Sequence, residues 1–251
     1  MSGLVLTLRT PLAADADLSG LTAEGWEQAD AAAMAARLIL LDRAPLRVGD
    51  LCEVSGTAGS TLALHGDFTR AHRIGAGLAS GTVVVHSSVG DGAGLAMRGG
   101  RLQIHGHAGH QLGAAPAGAK RGMTGGEILV HGSAGDESGS GVRRGLIAIG
   151  GDAGARTARG GIAGTIYVVG TCGADTGLFL KRASVIVGGS MAVPAGFREA
   201  CTYDPAVVRL LQRHLRMLGF PLPSVQLGGS WRRFSGDAGE GSRGELLLWT
   251  T

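Results

Sequence analysis

The stretch that decides the fold runs from Leu62 to Ser190. Its most regular part reads GGEILVHGSAG (125–135), RRGLIAIGGDAG (143–154), GTIYVVGTCG (164–173) and ASVIVGGS (183–190). A small residue follows an aliphatic-x-aliphatic-x run at seven anchors: Gly66, Ser87, Gly106, Gly132, Gly151, Gly170 and Gly189. The anchors are spaced 21, 19, 26, 19, 19 and 19 residues apart. A recurring period of this length predicts a solenoid, with the two longer steps as insertions at one corner.

The positions around each anchor indicate the kind of solenoid. The residues four and two positions before the anchors are all branched aliphatics, so one face of a short strand is apolar. They are Leu62, Val83, Leu102, Ile128, Ile147, Ile166 and Val185, and Leu64, Val85, Ile104, Val130, Ile149, Val168 and Val187. Glycines at fixed offsets around the strands are typical of tight corners. We therefore predict an all-β fold, a right-handed parallel β-helix with a single strand in each coil of about 19 residues.

The flanking segments predict an appendage at each end. Residues 1–48 are expected to form a small N-terminal α/β cap, residues 49–200 the β-helix, and residues 201–251 a C-terminal helix and final strand. The expected elements are strands at 4–8, 37–41 and 245–249, a short helix within 22–36 capped by Thr22 or Ser19, and an amphipathic helix over 204–218. For the latter we predict Asp204 as the cap, Gly219 as the end, and an apolar side made of Val207, Val208, Leu211, Leu215 and Leu218.

Composition excludes several protein classes. The 251 residues include 46 glycines without a Gly-X-Y period, which excludes collagen, and the aliphatic columns exclude disorder. A net charge of +3 is too small to indicate a nucleic-acid partner. Cys52, Cys172 and Cys201 form no disulfide or metal pattern, the start MSGLVLTLRTPL lacks a signal-peptide layout, and no apolar run reaches the ~18 residues of a membrane span. We expect a cytoplasmic protein without a membrane or nucleic-acid partner.

Polar columns are the first candidate sites. His65, His86, His105 and His131 directly precede the first four anchors and are expected to stack outward. Two imidazoles so close can bind a metal, but no cysteine or carboxylate column completes a site, so we favour a solvent-facing or interface ladder. Near the corners, at differing offsets, lie Asp67, Asp91, Asp136, Asp152 and Asp175, which we interpret as turn-capping residues and not as an acid/base pair. No nucleophile elbow or phosphate loop is present, and we predict no catalytic and no metal-binding residue.

Basic residues form a second pattern. Arg98, Arg143 and Lys181 lie eight positions before their anchors, Arg144 and Arg182 lie seven before, and Lys120 and Arg121 fall near the same corner in the longer insertion. This spacing predicts a basic strip along one edge of the solenoid, for which ordinary solvated charge is the alternative interpretation.

Apolar residues also alternate with the buried columns. Leu129, Tyr167 and Ile186 are expected to point outward, which indicates either a partner chain or cover by this chain's own C-terminal helix.

The sequence resembles a known family. The run HRIGAGLASGTVVVHSSVGDGAGLAMRGGRLQIHGHAG, then GMTGGEILVHGSAG and RRGLIAIGG, and the late motif FSGDAGEGSRGELLLW (234–249) are similar to the C-subunit family of formylmethanofuran dehydrogenase and of the formyltransferase/hydrolase complex. The glycine-rich coils also resemble the C-terminal domain of the glutamate synthase large subunit. The resemblance covers residues from about Leu46 to the end.

The resemblance implies a scaffold subunit in one-carbon metabolism. In the formyltransferase/hydrolase complex, a formyl group passes from tetrahydromethanopterin to methylofuran and is hydrolysed to formate, with the chemistry on other chains. The implied partners are hydrolase, transferase and dehydrogenase-like chains. No cofactor is expected on this chain itself, but the methylofuran- or methanofuran-type carriers bear glutamate-rich tails that the basic strip could hold. The alternatives are the C-subunit of a molybdenum or tungsten formylmethanofuran dehydrogenase and a stand-alone scaffold like that of glutamate synthase.

A different class, the left-handed β-helix acyltransferases, is disfavoured. Their coils repeat an aliphatic residue every six positions, whereas only one aliphatic pair recurs in each 19 residues here.

Overall fold

The computed structural model describes residues 3–22, 25–224 and 229–250. The strands are β1 (Leu4–Leu8), β2 (Ala16–Asp17), β3 (Leu38–Leu41), β4 (Ala44–Arg47), β5 (Cys52–Gly56), β6 (Thr61–His65), β7 (Ala71–His72), β8 (Thr82–Val85), β9 (Arg101–Ile104), β10 (Glu127–Val130), β11 (Leu146–Ile149), β12 (Thr165–Val168), β13 (Ser184–Val187), β14 (Arg198–Tyr203), β15 (Ser230–Gly236) and β16 (Gly244–Thr250). The helices are α1 (Ala31–Ala35), α2 (Val48–Leu51) and α3 (Ala206–Met217), with 3₁₀ turns at Trp26–Gln28 and Ala238–Glu240.

The repeat builds one large, mostly parallel sheet. Its order is β14-β15-β16-β13-β12-β11-β10-β9-β8-β6-β1-β5. Strands of consecutive repeats pair in parallel with the predicted columns opposite each other, as Ile147 opposite Ile166 and Val130 opposite Ile149 illustrate. All fourteen aliphatic side chains of these columns have a solvent-exposed fraction of 0%. The period-two alternation of branched aliphatics therefore specifies both the register and the core, as predicted.

Consecutive repeats also meet along a second line. Isolated parallel bridges connect Phe68, Val89, Ala108, Ala134, Ala153 and Cys172 in that order. All six side chains belong to the same core as the aliphatic columns, and the last four of them are small. Each repeat is thus held to the next on two sides. A separate sheet with the order β4-β3-β2-β7 lies at the N-terminal side.

The chain termini extend the parallel ladder at both ends. β1 pairs in parallel with β6, so Leu4 and Leu6 stand opposite Leu62 and Leu64. At the other end, β16 pairs in parallel with β13, and Leu246 stands opposite Val185. Antiparallel strands then continue the sheet, β5 beyond β1 and β15 with β14 beyond β16. Within this sheet, β1 and β16 pair with β6 and β13, the first and last strands of the repeat, which would otherwise present open edges.

The predicted N-terminal helix is shorter than expected. Only Ala31–Ala35 is α-helical, and its cap is Asp30, whose carboxylate accepts the N–H of Ala33 at 2.7 Å. The capping role proposed for Thr22 or Ser19 is therefore wrong. Gly25 adopts a left-handed φ of 76° and Asp30 is extended, so the backbone interrupts any longer helix here. Residues 23 and 24 lie outside the described residues.

Helix α3 covers the outward face of the repeat strands. Leu129, Tyr167 and Ile186 are buried in a second apolar cluster, together with Leu215 of α3 and Trp231 of β15. Of the two interpretations of this outward face, cover by the chain's own helix is the one that the structure confirms. The face of β10 to β13 that would otherwise be exposed is therefore already occupied and does not require a partner chain.

Polar contacts fix α3 in this position. The amide of Gln212 donates to the hydroxyl of Tyr167 at 3.0 Å, inside the second cluster. The carboxylate of Glu127 contacts His214 of α3 at 2.5 Å and accepts from Arg101 at 2.8 Å. Burial works to raise the pKa of Glu127, but the hydrogen bonds from His214 and Arg101 outweigh it and lower that pKa.

Two details of α3 differ from the prediction. Its N-cap is Pro205, and the carboxylate of Asp204 pairs with Arg209 instead of capping the helix. Val207 has 59% of its surface exposed, so it is not on the buried side, whereas Gln212 is buried. The hydrogen bond to Tyr167 explains why a polar residue takes that place. Among the described residues, no helix is long and apolar enough to cross a membrane.

Candidate functional site

Part of the predicted basic strip lines a surface cavity of about 520 Å³. The side chains that give the cavity its character are Lys120, Arg121, Arg159, Phe179, Lys181 and Glu240. Lys120 and Arg121 come from the insertion between β9 and β10, Arg159, Phe179 and Lys181 from corners of later repeats, and Glu240 from the turn between β15 and β16. The cavity therefore joins three parts of the chain that are distant in sequence, and we call it the basic cavity.

The seven predicted strip residues are only partly brought together. Lys120, Arg121 and Lys181 line the basic cavity. The backbone N–H groups of Arg143 and Lys181 donate to carbonyls of the preceding repeats, so the two residues share a column two repeats apart, about 10 Å at strand spacing.

The other members of the strip lie apart from the basic cavity. Arg98 lines a separate depression beside Trp26 and Glu27. Arg144 and Arg182 are exposed outside both cavities.

Charge in the basic cavity is unevenly balanced. The ammonium of Lys181 lies 3.5 Å from the carboxylate of Glu240. Within the described residues, neither Lys120 nor Arg121 forms an ion pair with a carboxylate. Arg159 lies over the ring of Phe179, 5.7 Å from its centroid, which is a cation–π geometry. The cavity thus presents excess positive charge beside an exposed aromatic ring.

A buried carboxylate holds the wall of this cavity. Asp237 accepts the backbone N–H of Phe179 at 3.0 Å through one oxygen and that of Gly239 at 3.0 Å through the other. Asp237 is only 8% exposed, and both it and Glu240 belong to the late motif FSGDAGEGSRGELLLW. The motif thus supplies both the carboxylate that positions Phe179 and the one that pairs with Lys181.

Three of the charged and aromatic side chains of the basic cavity were not predicted from the sequence: Arg159, Phe179 and Glu240. A signal for Phe179 was present, because it lies 19 residues after Gly160 and 38 after Gly141, at the same corner of the repeat. Phe179 replaces the glycine that the two preceding repeats have at this position. The basic strip was predicted from charged residues alone, so this replacement did not enter the prediction.

The histidine ladder forms as predicted, with two stacked pairs of rings and an edge-to-face contact between His86 and His105. Ring centroids are 4.2 Å apart for His65 and His86, 4.8 Å for His86 and His105, and 4.7 Å for His105 and His131. Partial burial and the neighbouring imidazoles lower the pKa of His86 and of His131, which favours neutral rings. Across residues 3–22, 25–224 and 229–250, no group of three or more His, Cys, Asp or Glu side chains is arranged to hold a metal ion.

Most of the corner aspartates serve the backbone, although not at their own turns. The carboxylates of Asp91, Asp136 and Asp152 accept N–H groups of His110, Ala155 and Thr171 at 2.7–2.8 Å, one repeat further along. Asp67 alone among these four caps its own turn, through Thr69. These carboxylates therefore link consecutive repeats instead of forming an acid/base pair.

Three histidines take part in the same type of link, and the Nδ1 atom of His72 accepts the N–H of Asp91 at 3.0 Å. The Nδ1 atom of His107 accepts the N–H of Ser133 at 3.0 Å, and that of His110 accepts the N–H of Asp136 at 2.9 Å. Because Nδ1 is the acceptor, the imidazole proton of each ring is on Nε2.

The two buried thiols are unreactive because of their environment. Burial raises the pKa of Cys52 to about 11 and that of Cys172 to about 12. Cys201 is exposed on β14, and all three cysteines are free thiols.

The sequence matches no protein-family model and no curated protein. Among solved structures, it is similar to a chain in the X-ray crystal structure of the formyltransferase/hydrolase complex (FhcABCD) from Methylorubrum extorquens in complex with methylofuran. The two chains are 32% identical and superpose with a TM-score of 0.83, and the match covers 98% of this chain and 100% of the other.

Proposed function

Because the chain belongs to the family of formyltransferase/hydrolase complex subunits, we propose that it is the non-catalytic C-subunit of such a complex. In this function it supports formyl transfer from tetrahydromethanopterin to methylofuran and hydrolysis to formate. The observation that carries the proposal is the match along the whole chain to one chain of that complex, at 32% identity.

The use of the polar side chains supports a structural role. Aspartates and histidines at the corners accept hydrogen bonds from the backbone of the next repeat, which gives them a function without chemistry. We propose that the catalytic groups lie on the hydrolase and transferase chains, and that this chain and a dehydrogenase-like chain assemble with them in the cytoplasm.

We further propose that residues 49–200 wind as a right-handed parallel β-helix, between a cap at 1–48 and a terminal unit at 201–251. The regular register between strands of consecutive repeats and the second line of bridges support this. β1 and β16, which extend the ladder, would be the parts of the two terminal units that seal its ends.

Purification of the tagged chain from its native cells tests the assignment. We expect it to elute with formyltransferase and formyl hydrolase activity and without molybdenum or tungsten, since the matched structure is of a formyltransferase/hydrolase complex. Molybdenum or tungsten in stoichiometric amount would support the alternative, the C-subunit of a formylmethanofuran dehydrogenase. A monomer with no associated activity would contradict both and leave a stand-alone scaffold.

We also propose that the basic strip holds the acidic tail of a methylofuran-type carrier by carboxylate pairing. Replacing Arg143, Arg144, Lys181 and Arg182 by Ala is expected to raise the apparent KM for the carrier in the assembled complex, with an effect that weakens at high ionic strength because exposed ion pairs are screened. Steady-state kinetics over a salt series measures this.

A matched control removes four exposed cations from other faces: Arg43, Arg47, Arg213 and Arg216. Either the same KM increase in the control or an unchanged KM in the strip variant would show that the strip is ordinary surface charge.

A further inference from the structure

One corner of the repeat carries an unexpected side chain. Gly141, Gly160 and Phe179 occupy the same corner of three consecutive repeats, with φ angles of 69°, 65° and 61°. Glycine adopts this left-handed conformation without steric cost, whereas a phenylalanine in it is strained. At this corner position, the third repeat therefore accepts strain that the two before it avoid.

Packing does not explain this phenylalanine. Phe179 has 46% of its surface exposed, although it is a large apolar side chain. At the equivalent Gly160, an added Cβ would meet no atom within 4 Å, so the corner is open space without a core to fill. A strained and exposed aromatic residue is typical of a functional site.

The surroundings of Phe179 indicate what its ring can bind. Its backbone is fixed by the buried carboxylate of Asp237, so the ring is presented from a rigid position. Lys120, Arg121 and Arg159 line the same basic cavity. An aromatic face beside several cations is complementary to a planar group that carries negative charge.

We propose that the basic cavity binds a ligand that joins a planar ring to one or more anionic groups, with the ring stacked on Phe179 and the anion held by Lys120, Arg121 and Arg159. The inference rests on the proposed function only where it uses a probe with glutamate carboxylates. A phosphate group could be held by the same three cations. It adds recognition of a ring to the pairing of charges.

Two pairs of probes test it by calorimetry on the full chain or its complex: N-benzoyl triglutamate against N-acetyl triglutamate, and phenyl phosphate against inorganic phosphate. The ring-bearing member of at least one pair is expected to bind about fivefold more tightly than its partner, the usual size of an aromatic contact. The pair that binds more tightly identifies the anion. If only the phosphate pair binds, the carrier-tail proposal fails and the present inference stands.

The decisive variant is Phe179→Gly, which restores the corner residue of the two preceding repeats. We expect an unchanged or higher melting temperature and loss of the ring-dependent increment, with the binding of N-acetyl triglutamate unchanged. Phe179→Asn, whose side chain tolerates a left-handed backbone, is the second variant. Arg216→Ala, which removes an exposed cation on α3 outside both the basic cavity and the basic strip, is the control.

Several results would overturn the inference. They are the absence of a ring-dependent increment in the wild-type protein, an increment that survives in both Phe179 variants, and a fall of several degrees in the melting temperature of both variants, which would assign Phe179 to packing.

Discussion

Val130→Asp is expected to lower the free energy of unfolding by about 4 kcal/mol or more, the largest loss among single substitutions proposed for this chain. Val130 has an exposed fraction of 0% and stands in register between Ile104 and Ile149 in the central column of the core. The side chains of that column are aliphatic, so a carboxylate there would lose its hydration without gaining a partner. Thermal or denaturant unfolding measures the loss, and insoluble expression would be its extreme form.

Val84→Asp is the matched control. Val84 lies between the buried Val83 and Val85 on β8 but points to the other face, where it is only partly buried. The same chemical change should therefore cost much less there. Equal effects of the two substitutions, or a Val130→Asp protein with wild-type solubility and melting, would contradict the assignment of the aliphatic columns to the core.

The core was predictable because its signal is local and repeated. Each strand of the repeat needs two branched aliphatic residues two positions apart. Pairing equivalent strands in register places these residues opposite one another whatever the corners contain. The strands that the two termini add to the ladder were harder to predict from the sequence. Leu4 and Leu246 lie in segments that read as strands, but their parallel partners Leu62 and Val185 are separated from them by long stretches of chain, which no local pattern specifies.

The sequence could not decide what covers the outward face of the repeat strands, for a physical reason. Apolar residues such as Leu129 and Ile186 satisfy the same hydrophobic requirement whether α3 or another chain packs on them. The partner of Tyr167 decides the matter, because its hydroxyl accepts from Gln212 inside the interface. A polar residue on the buried side of α3 contradicts the simple amphipathic pattern, which placed Val207 there instead.

The basic cavity was only partly predictable. The regular length of the repeat predicted that Lys120, Arg121 and Lys181 lie near one corner, and these three residues line the cavity. It could not locate Glu240, since the turn between β15 and β16 reaches this corner through antiparallel pairing outside the repeat. Phe179 was overlooked because an aromatic residue in a glycine column resembles neither a core position nor a charge.

Gly145→Val is the second substitution with a large expected effect, about 2 kcal/mol or more of lost stability. Gly145 has a φ of 100°, and a Cβ added there would lie 2.5 Å from the carbonyl oxygen of Gly126 in the preceding repeat. That oxygen accepts the N–H of Leu146, while the carbonyl of Gly145 accepts the N–H of Thr165 in the next repeat. Relief of the clash would therefore disturb hydrogen bonds on both sides of the rung.

Gly77→Val separates the two causes of this loss. Gly77 also has a left-handed φ, of 67°, but an added Cβ would meet no atom within 4 Å, so its substitution reports the conformational strain alone. We expect Gly145→Val to unfold at clearly lower denaturant concentration than Gly77→Val, with Gly145→Ala between them because alanine adds the clashing Cβ without the branched side chain. If the two valine variants unfold together, the close approach of successive repeats at Gly145 contributes nothing to stability, and the glycine column reflects backbone conformation only.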